Sequence, residues 1–157
     1  AKAPEGTTMP VVQLKQNYGH KHAKLDGDRL RWMQAVEHLL RNSLQSLPAG
    51  GRLNISTSDA AEGDLAGKFP AGGAIKIEVQ DSGEGIALEN LKRVAEPFFT
   101  TRNVGVGLGM TIVKKIVEEH GGSVEIKNVA PHGACVRLVL PAAKIVNAAV
   151  SRAAARV

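Results

Sequence analysis

The chain has 157 residues, of which 43% are hydrophobic and 22% are charged, and this composition excludes a wholly disordered protein. A domain commonly spans roughly 100–200 residues, so we expect one domain with a full core. The net charge is +5, and Lys144, Arg152 and Arg156 supply +3 of it, leaving +2 elsewhere. With five aromatic residues (three Phe, one Trp and one Tyr), the chain lacks the composition of a nucleic-acid-binding protein.

The sequence also limits the compartment. The single cysteine, Cys135, excludes an intrachain disulfide. No apolar run reaches the ~18–20 residues that span a bilayer, and residues 1–10 lack the apolar core of a signal peptide. We therefore expect a cytoplasmic segment without membrane contact, and we leave open whether a longer parent protein is membrane-anchored.

The N-terminal third contains the clearest helical pattern. A lead-in is followed by a predicted strand at 11–16 and a polar loop at 17–21. Apolar residues then recur at spacings of three and four: Leu30, Met33, Val36, Leu40, Leu44 and Leu47. This periodicity predicts an amphipathic helix from Asp28, a suitable N-cap, to Leu47, before the Pro-Ala-Gly-Gly segment at 48–51.

Strands and helices interleave over the remainder. Alternating hydrophobicity predicts further strands at 52–56, 74–80, 123–127 and 134–140. Helical periodicity predicts a short helix at 88–95 and an amphipathic one at 110–120, with loops at 57–73 and 100–109. The absence of strict strand–helix–strand repetition favours an α/β fold of the two-layer sandwich type, a mixed sheet covered by helices, over a doubly wound parallel sheet.

Two glycine-containing segments have compositions suited to ligand binding. The segment from Asp81 to Gly85 follows an apolar strand, and it places a carboxylate beside backbone without Cβ atoms, where a flat heterocycle with an exocyclic amine can bind. The alternative is a tight turn with solvated acids.

The second segment, from Gly105 to Met110, opens a helix, where backbone amides and the helix dipole are suited to binding phosphates. It matches neither a dinucleotide fingerprint nor a P-loop, and the alternative is a hinge.

Asn42 lies inside the first predicted helix, although Asn is a poor helix former. The ordinary explanation is a position on a solvated face. The functional one is an amide oxygen offered to Mg²⁺, which takes few protein ligands and retains waters and substrate phosphates.

Taken in order, these segments resemble a known family. A helix with Asn is followed by Asp-x-Gly-x-Gly after a strand, by Glu-Pro-Phe-Phe-Thr-Thr at 96–101, by Gly-x-Gly-Leu-Gly on a helix and by His-Gly-Gly at 120–122. The chain resembles, from about Leu25 to Pro141, the catalytic and ATP-binding domain of sensor histidine kinases. That domain belongs to the superfamily of gyrase, the MutL proteins and the heat-shock-90 chaperones. The resemblance implies a mostly antiparallel mixed sheet covered by about three helices, the Bergerat ATP-binding fold.

The resemblance also implies residue roles. Asn42 matches the N-box Asn that coordinates the Mg²⁺ of ATP, and Asp81 matches the carboxylate that binds the adenine amino group. Gly83 and Gly85 match the glycines beside adenine. Phe98 and Phe99 resemble the F box. The remaining ATP-binding matches are Thr100, Thr101 and Arg102 at the start of the ATP lid and Gly105, Gly107, Leu108 and Gly109 in the phosphate-binding G2 box.

One departure concerns the position four residues before Asn42. The family usually has Asn there, or Glu in its ATP-hydrolysing members, and this chain has His38. A four-residue step returns to within about 40° of the same helical face, so we expect His38 to face the site and include it with Asn42 among the catalytic candidates. A neutral imidazole can bind a water or a metal ligand, whereas a protonated one would repel the metal. The alternative is a tolerated neighbour.

The resemblance further implies partners. Sensor kinases transfer the γ-phosphoryl group to a His on a dimerisation hairpin, in a segment like His-Glu-x-x-Asn/Arg-Pro, for relay to the receiver domain of a response regulator. None of the five His of this chain has that context. We therefore expect the C-terminal piece of a larger kinase: a lead-in with a first strand at 1–24, the catalytic domain at 25–141, and a basic tail at 142–157 that is either helical or disordered.

Two other functions fit the same fold. A serine kinase of the anti-sigma type also lacks a hairpin His, although the Phe-Phe-Thr-Thr segment, the short lid and His-Gly-Gly favour a histidine kinase. A non-catalytic nucleotide-binding module is suggested by His38. A gyrase-like ATPase is the weakest alternative, because such enzymes use a Glu where His38 stands.

Overall fold

The computed structural model describes residues 11–21, 24–47, 50–60, 73–97 and 109–143. Within these ranges it contains five strands: β1 (Gln13–Gly19), β2 (Arg52–Asp59), β3 (Ala74–Asp81), β4 (Ser123–Asn128) and β5 (Ala134–Pro141). It also contains three helices: α1 (Arg29–Ser46), α2 (Leu88–Leu91) and α3 (Gly109–Glu119). No helix in these ranges combines the length and apolarity needed to cross a bilayer.

The five strands form one mixed sheet in the order β1-β2-β3-β5-β4. β1 runs parallel to β2, and the other three pairs are antiparallel. Strands β2, β3 and β5 are central, so the segment that follows β3 leaves from the middle of the sheet. The predicted mixed, mostly antiparallel sheet is confirmed.

The core lies between one face of the sheet and helices α1 and α3. Alternate residues of β3 and β5 point to this face, as period-two strands require. The buried cluster consists of Leu39, Leu53, Val79, Met110, Val113, Val117, Val136, Leu138 and Leu140. The sheet is therefore one layer and the helices the other, which confirms the predicted two-layer α/β sandwich.

Helix α1 is capped at its N-terminus and helix α3 at its C-terminus. The carboxylate of Asp28 accepts hydrogen bonds from the backbone N–H groups of Leu30 and Arg31, as an N-cap does. At the end of α3, the N–H of Gly122 donates to the carbonyl of Val117 at 2.9 Å, and Gly121 has a φ of 77°. This is the Schellman arrangement, in which a glycine with positive φ ends a helix.

The buried face of α1 differs from the one that periodicity indicated. The residues of α1 that the sheet and α3 bury are Ala35, Leu39 and Ser43. By contrast, Leu30 is 75% exposed, and Met33, Val36 and Leu44 are exposed too. The apolar stripe lies about 100° round the helix from the buried face. The period located the helix correctly, but it did not identify the packed side, because two of the buried residues are small.

Four element bounds also needed correction. β1 runs to Gly19, so part of the predicted polar loop at 17–21 is strand. β2 extends three residues beyond its predicted end, to Asp59. α2 covers only four residues, Leu88–Leu91, of the predicted 88–95. Of the predicted loop at 100–109, Gly109 is instead the first residue of α3. Residues 100–108 and the tail from 144 lie outside the described residues.

Candidate functional site

Asp81 ends β3 beneath the two main helices. It is 6% exposed, one of two buried polar or charged residues recorded in the described ranges. Its Oδ1 accepts two backbone hydrogen bonds, from Gly83 N–H at 2.9 Å and from Ala134 N–H at 3.2 Å. Buried carboxylates need such partners, because desolvation is costly. Both recorded bonds use Oδ1, so Oδ2 is the oxygen that can accept from a ligand.

Gly83 brings the backbone after β3 against the end of α1. A Cβ on this residue would lie 2.5 Å from the carbonyl oxygen of Ser46, a distance that real Cβ atoms do not show. The Ser82 N–H also donates to the carbonyl of Arg52 at 3.0 Å. The segment of residues 81–86, called here the 81–86 loop, is therefore packed tightly against α1 and β2, and glycine is required for that approach.

Asn42 lies beside the first residue of α3. A Cβ on Gly109 would sit 3.2 Å from Asn42 Nδ2 and 3.5 Å from Oδ1. The carboxamide of α1 and the N-terminus of α3 thus meet, as expected if both belong to one site. His38 is half-buried one turn before Asn42 on the same helix.

The turn between β4 and β5 holds the 81–86 loop from the other side. This β4–β5 turn comprises residues 128–134. The side chain of Asn128 donates to the carbonyl of Ile86 at 2.6 Å and accepts from its N–H at 2.8 Å. His132 Nδ1 lies 3.1 Å from the carbonyl oxygen of Ser82 and 3.2 Å from that of Gly83. Sequence reasoning missed these contacts, which join residues 42 to 53 positions apart.

The structure therefore assembles part of the predicted site. Asn42 adjoins Gly109, and Gly83, which donates to Asp81, adjoins the last residue of α1. Gly85 lies against the β4–β5 turn instead. The other predicted residues lie outside the described ranges: Phe98, Phe99, Thr100, Thr101, Arg102, Gly105, Gly107 and Leu108.

Two other features of the described residues lie apart from this site. A shallow groove on the outer surface of α1 is lined by Glu37, Leu40, Arg41, Leu44 and Gln45, and it includes no candidate site residue. Across the described ranges, no three His, Cys, Asp or Glu side chains group into a metal site.

Cys135 is the single cysteine of the chain. It is buried on β5, and the desolvation of burial, followed by the charge of Glu78, raises the pKa of its thiol above 9.0. A buried thiol in this state is a packing group, since the thiolate is the reactive form.

The fold agrees with comparison to known proteins. Residues 27–144 match the family model described as histidine kinase-, DNA gyrase B- and HSP90-like ATPase. The chain belongs to this family, and its predicted resemblance to the ATP-binding domain of sensor histidine kinases is confirmed. Its fold is that of a nucleotide-binding domain.

The curated relatives include a kinase and a regulatory protein. Sporulation kinase C of Bacillus subtilis is 32% identical over 117 residues, covering 74% of this chain and 25% of the relative. Nitrogen regulation protein NtrY of Azorhizobium caulinodans is 38% identical, covering 73% of this chain and 14% of the relative. The chain therefore spans about a quarter or less of the length of these proteins.

Solved structures show the same architecture. The catalytic domain of histidine kinase ThkA superposes with a TM-score of 0.69 at 25% identity, covering 83% of this chain and 79% of that chain. The mycobacterial sensor histidine kinase MprB gives a TM-score of 0.69 at 24% identity, covering 85% and 86%, and this second likeness concerns the fold alone.

Proposed function

We propose that this chain is the ATP-binding catalytic domain of a sensor histidine kinase, which binds Mg-ATP and donates its γ-phosphoryl group to a histidine on a separate dimerisation hairpin. The observation that carries the proposal is Asp81, a buried carboxylate held by two backbone N–H groups at the end of a central strand. Its surroundings support a site for a planar base.

Recognition of adenine follows from the donor and acceptor inventory. The adenine amino group is a donor, and a carboxylate accepts through either oxygen. With Oδ1 of Asp81 already engaged, Oδ2 takes the exocyclic amine. Gly83 and Gly85 let the 81–86 loop pack closely against Ser46 and against the β4–β5 turn, which fixes the backbone beside the proposed base. A guanine presents a carbonyl oxygen at the equivalent position and would repel the carboxylate.

The proposed position of the phosphates is one helical turn before Ser46 on α1, beside Asn42 and Gly109. Asn42 offers one amide oxygen to Mg²⁺, a hard cation that prefers oxygen ligands and keeps several waters and substrate phosphates. When bound, this ion neutralises phosphate charge. The start of α3 at Gly109 directs backbone N–H groups and the positive end of a helix dipole toward the phosphates. Thr100, Thr101, Arg102, Gly105, Gly107 and Leu108 complete the proposed ATP contacts.

Phosphoryl transfer depends mainly on positioning and charge stabilisation. The nucleophile in the proposed reaction is a hairpin imidazole supplied by the parent protein, so this domain need not provide a strong base. The proposed partners are that hairpin and the receiver domain of a response regulator. His38 is proposed to bind a water or a metal ligand beside Asn42, and the domain is proposed to act in the cytoplasm.

The direct test is calorimetric titration with Mg-ATP. We expect the unmodified chain to bind, and we expect Asp81→Asn to bind about tenfold to a hundredfold less tightly, because a charge-assisted hydrogen bond is lost. Asp26→Asn is the matched control, since Asp26 is exposed and precedes α1. Equal affinity of the unmodified chain and Asp81→Asn would refute the proposal.

The alternatives are separated by the chemistry of the product. Incubation with ATP and a sensor-kinase hairpin in trans should give a phosphoramidate, which is labile in acid and stable in alkali. A phosphoserine on another protein, stable in acid, would favour the anti-sigma-type serine kinase. Nucleotide binding without any phosphorylated product would favour the non-catalytic module suggested by His38.

A further inference from the structure

The 81–86 loop is fixed by a segment that is distant in sequence. The carboxamide of Asn128 satisfies both backbone groups of Ile86, with one donated bond at 2.6 Å and one accepted bond at 2.8 Å. This two-bond pattern is the one a neighbouring β-strand makes, but here a side chain makes it. Asn128 can do so because it is the last residue of β4 and points to the same face of the sheet as Asp81.

The remaining contacts of the β4–β5 turn fall along the same loop. The partners of His132 Nδ1 are two carbonyl oxygens, so this nitrogen carries the proton and donates to Ser82 and Gly83. A Cβ on Gly133 would lie 2.1 Å from the carbonyl oxygen of Asp81. The turn therefore touches the loop at its beginning, its middle and its end.

The β4–β5 turn also packs closely enough against the 81–86 loop for a displacement of the turn to move the loop. A Cβ on Gly85 would lie 3.0 Å from Asn128 Oδ1 and 3.2 Å from the carbonyl oxygen of Gly133. Because Ala134 N–H is one of the two donors to Asp81 Oδ1, the turn and the loop jointly fix the carboxylate. A shift of the turn would reorient Asp81 and the glycines together.

We propose that Asn128, assisted by His132, is a positioning residue for purine selectivity: it acts through the 81–86 loop and sets the direction of the Asp81 carboxylate. The inference rests on the proposed function, since it assumes that Asp81 binds the adenine amino group. His132 has the smaller share, because it is exposed and its two bonds are longer.

The test compares ATP with inosine triphosphate, which has the same ribose and phosphates but a carbonyl oxygen in place of the amine. We expect the unmodified chain to prefer ATP. We define the selectivity ratio as the dissociation constant for inosine triphosphate divided by that for ATP. In Asn128→Ala this ratio should fall by about tenfold, because ATP binds more weakly, while the affinity for inosine triphosphate changes by less than about twofold. Loss of folding alone would weaken both nucleotides equally.

Two further variants separate positioning from space filling. Asn128→Asp keeps the shape and the acceptor for the Ile86 N–H, but it replaces the donor with an oxygen facing the Ile86 carbonyl, so selectivity should fall as in Asn128→Ala. Asn17→Ala, on the opposite edge strand, is the matched control, and its ratio of the dissociation constants for inosine triphosphate and ATP should be unchanged.

Hydrogen exchange measures the loop without any nucleotide. In nucleotide-free protein, the Ile86 amide should exchange with solvent deuterium at least about tenfold faster in Asn128→Ala than in Asn17→Ala.

The outcomes distinguish this inference from the function on which it rests. Selective ATP binding by the unmodified chain, retained in Asn128→Ala with unchanged exchange at Ile86, would overturn the inference alone. Absence of ATP binding by the unmodified chain would overturn the proposed function and the inference with it.

Discussion

Burial of Asp81 requires compensation at the level of single atoms. An ionised carboxylate removed from water is unstable unless hydrogen bonds replace its hydration. Asp81 receives two such bonds from backbone donors, one from its own loop and one from β5. Because backbone donors move little, the carboxylate is held in one orientation before any ligand arrives, and less ordering entropy is lost on binding.

The candidate side chains of the site could be singled out from sequence, but several of their hydrogen-bond partners could not. Asp81 and Asn42 are marked by local order: a carboxylate after an apolar strand and an amide in a helix. Asn128 carries no comparable signal, because an Asn before a turn is ordinary. Its contact with Ile86 depends on the pairing of β3 with β5 and of β5 with β4, which no local pattern specifies.

Cys135 provides a pH prediction at the residue scale. Burial raises the pKa of its thiol above the ordinary value of 9.0, so between 9.0 and the folded value the unfolded chain loses this proton first. The stabilising contribution is therefore complete below about pH 9 and is lost as pH rises toward the folded pKa, by at most about 1.4 kcal/mol per pH unit.

The measurement is urea unfolding of the unmodified chain and of Cys135→Ala from about pH 8 to pH 10. Groups common to both proteins cancel in the difference between their free energies of unfolding. We expect that difference to decline as the pH rises. A difference that stays constant over this range would contradict the assigned pKa direction.

The two long faces of α1 have different roles at the element scale. One face, with Ala35, Leu39 and Ser43, packs on the sheet and α3, and the small residues allow close approach. Four residues of the apolar stripe about 100° away are exposed, whereas Leu40 and Leu47 pack partly against the core. The hydrophobic periodicity of the sequence predicts an amphipathic helix here. It does not predict which face of the helix is buried.

A pair of identical substitutions tests this assignment. Leu39 is 1% exposed, so Leu39→Ala should lower the free energy of unfolding by about 2–5 kcal/mol through lost contacts and a cavity. Leu30→Ala, on the exposed stripe, should change it by less than about 0.5 kcal/mol. Urea unfolding followed by the fluorescence of Trp32 measures both, and comparable losses would show that the packed face is wrongly identified.

At the scale of the whole molecule, the strand order of the sheet brings segments that are distant in sequence together at one end of the sheet. The order β1-β2-β3-β5-β4 places the ends of β3 and β4 on either side of the start of β5. β1 shows no alternation of buried and exposed residues, because all of its residues are exposed. β2 and β3 were predictable from alternation, since Leu53 and Ile55, and then Ile75, Ile77 and Val79, recur with a period of two. The order of the strands was not predictable, because it depends on pairings between segments tens of residues apart.

Nucleotide binding should be visible in the stability of the whole domain. A ligand at a hundred times its dissociation constant stabilises the folded state by about 2.7 kcal/mol. For a chain of this size, about 2–4 °C per kcal/mol gives a rise in melting temperature of about 5–11 °C. Thermal melts with and without Mg-ATP measure the rise, and Asp81→Asn at the same ATP concentration should show a smaller one. Equal shifts in both proteins would place the nucleotide elsewhere.

The contacts of Asn42 and Ser46 have a consequence for the dimensions of the site. Asn42 adjoins Gly109, and Ser46 adjoins Gly83. The two ends of the proposed site therefore contact α1 at residues that are one helical turn apart. That separation is about 6 Å along the axis and is set by helix pitch. The surrounding connections can therefore vary in length without altering the distance between the proposed base end and the proposed phosphate end of the site, because α1 serves as the fixed spacer.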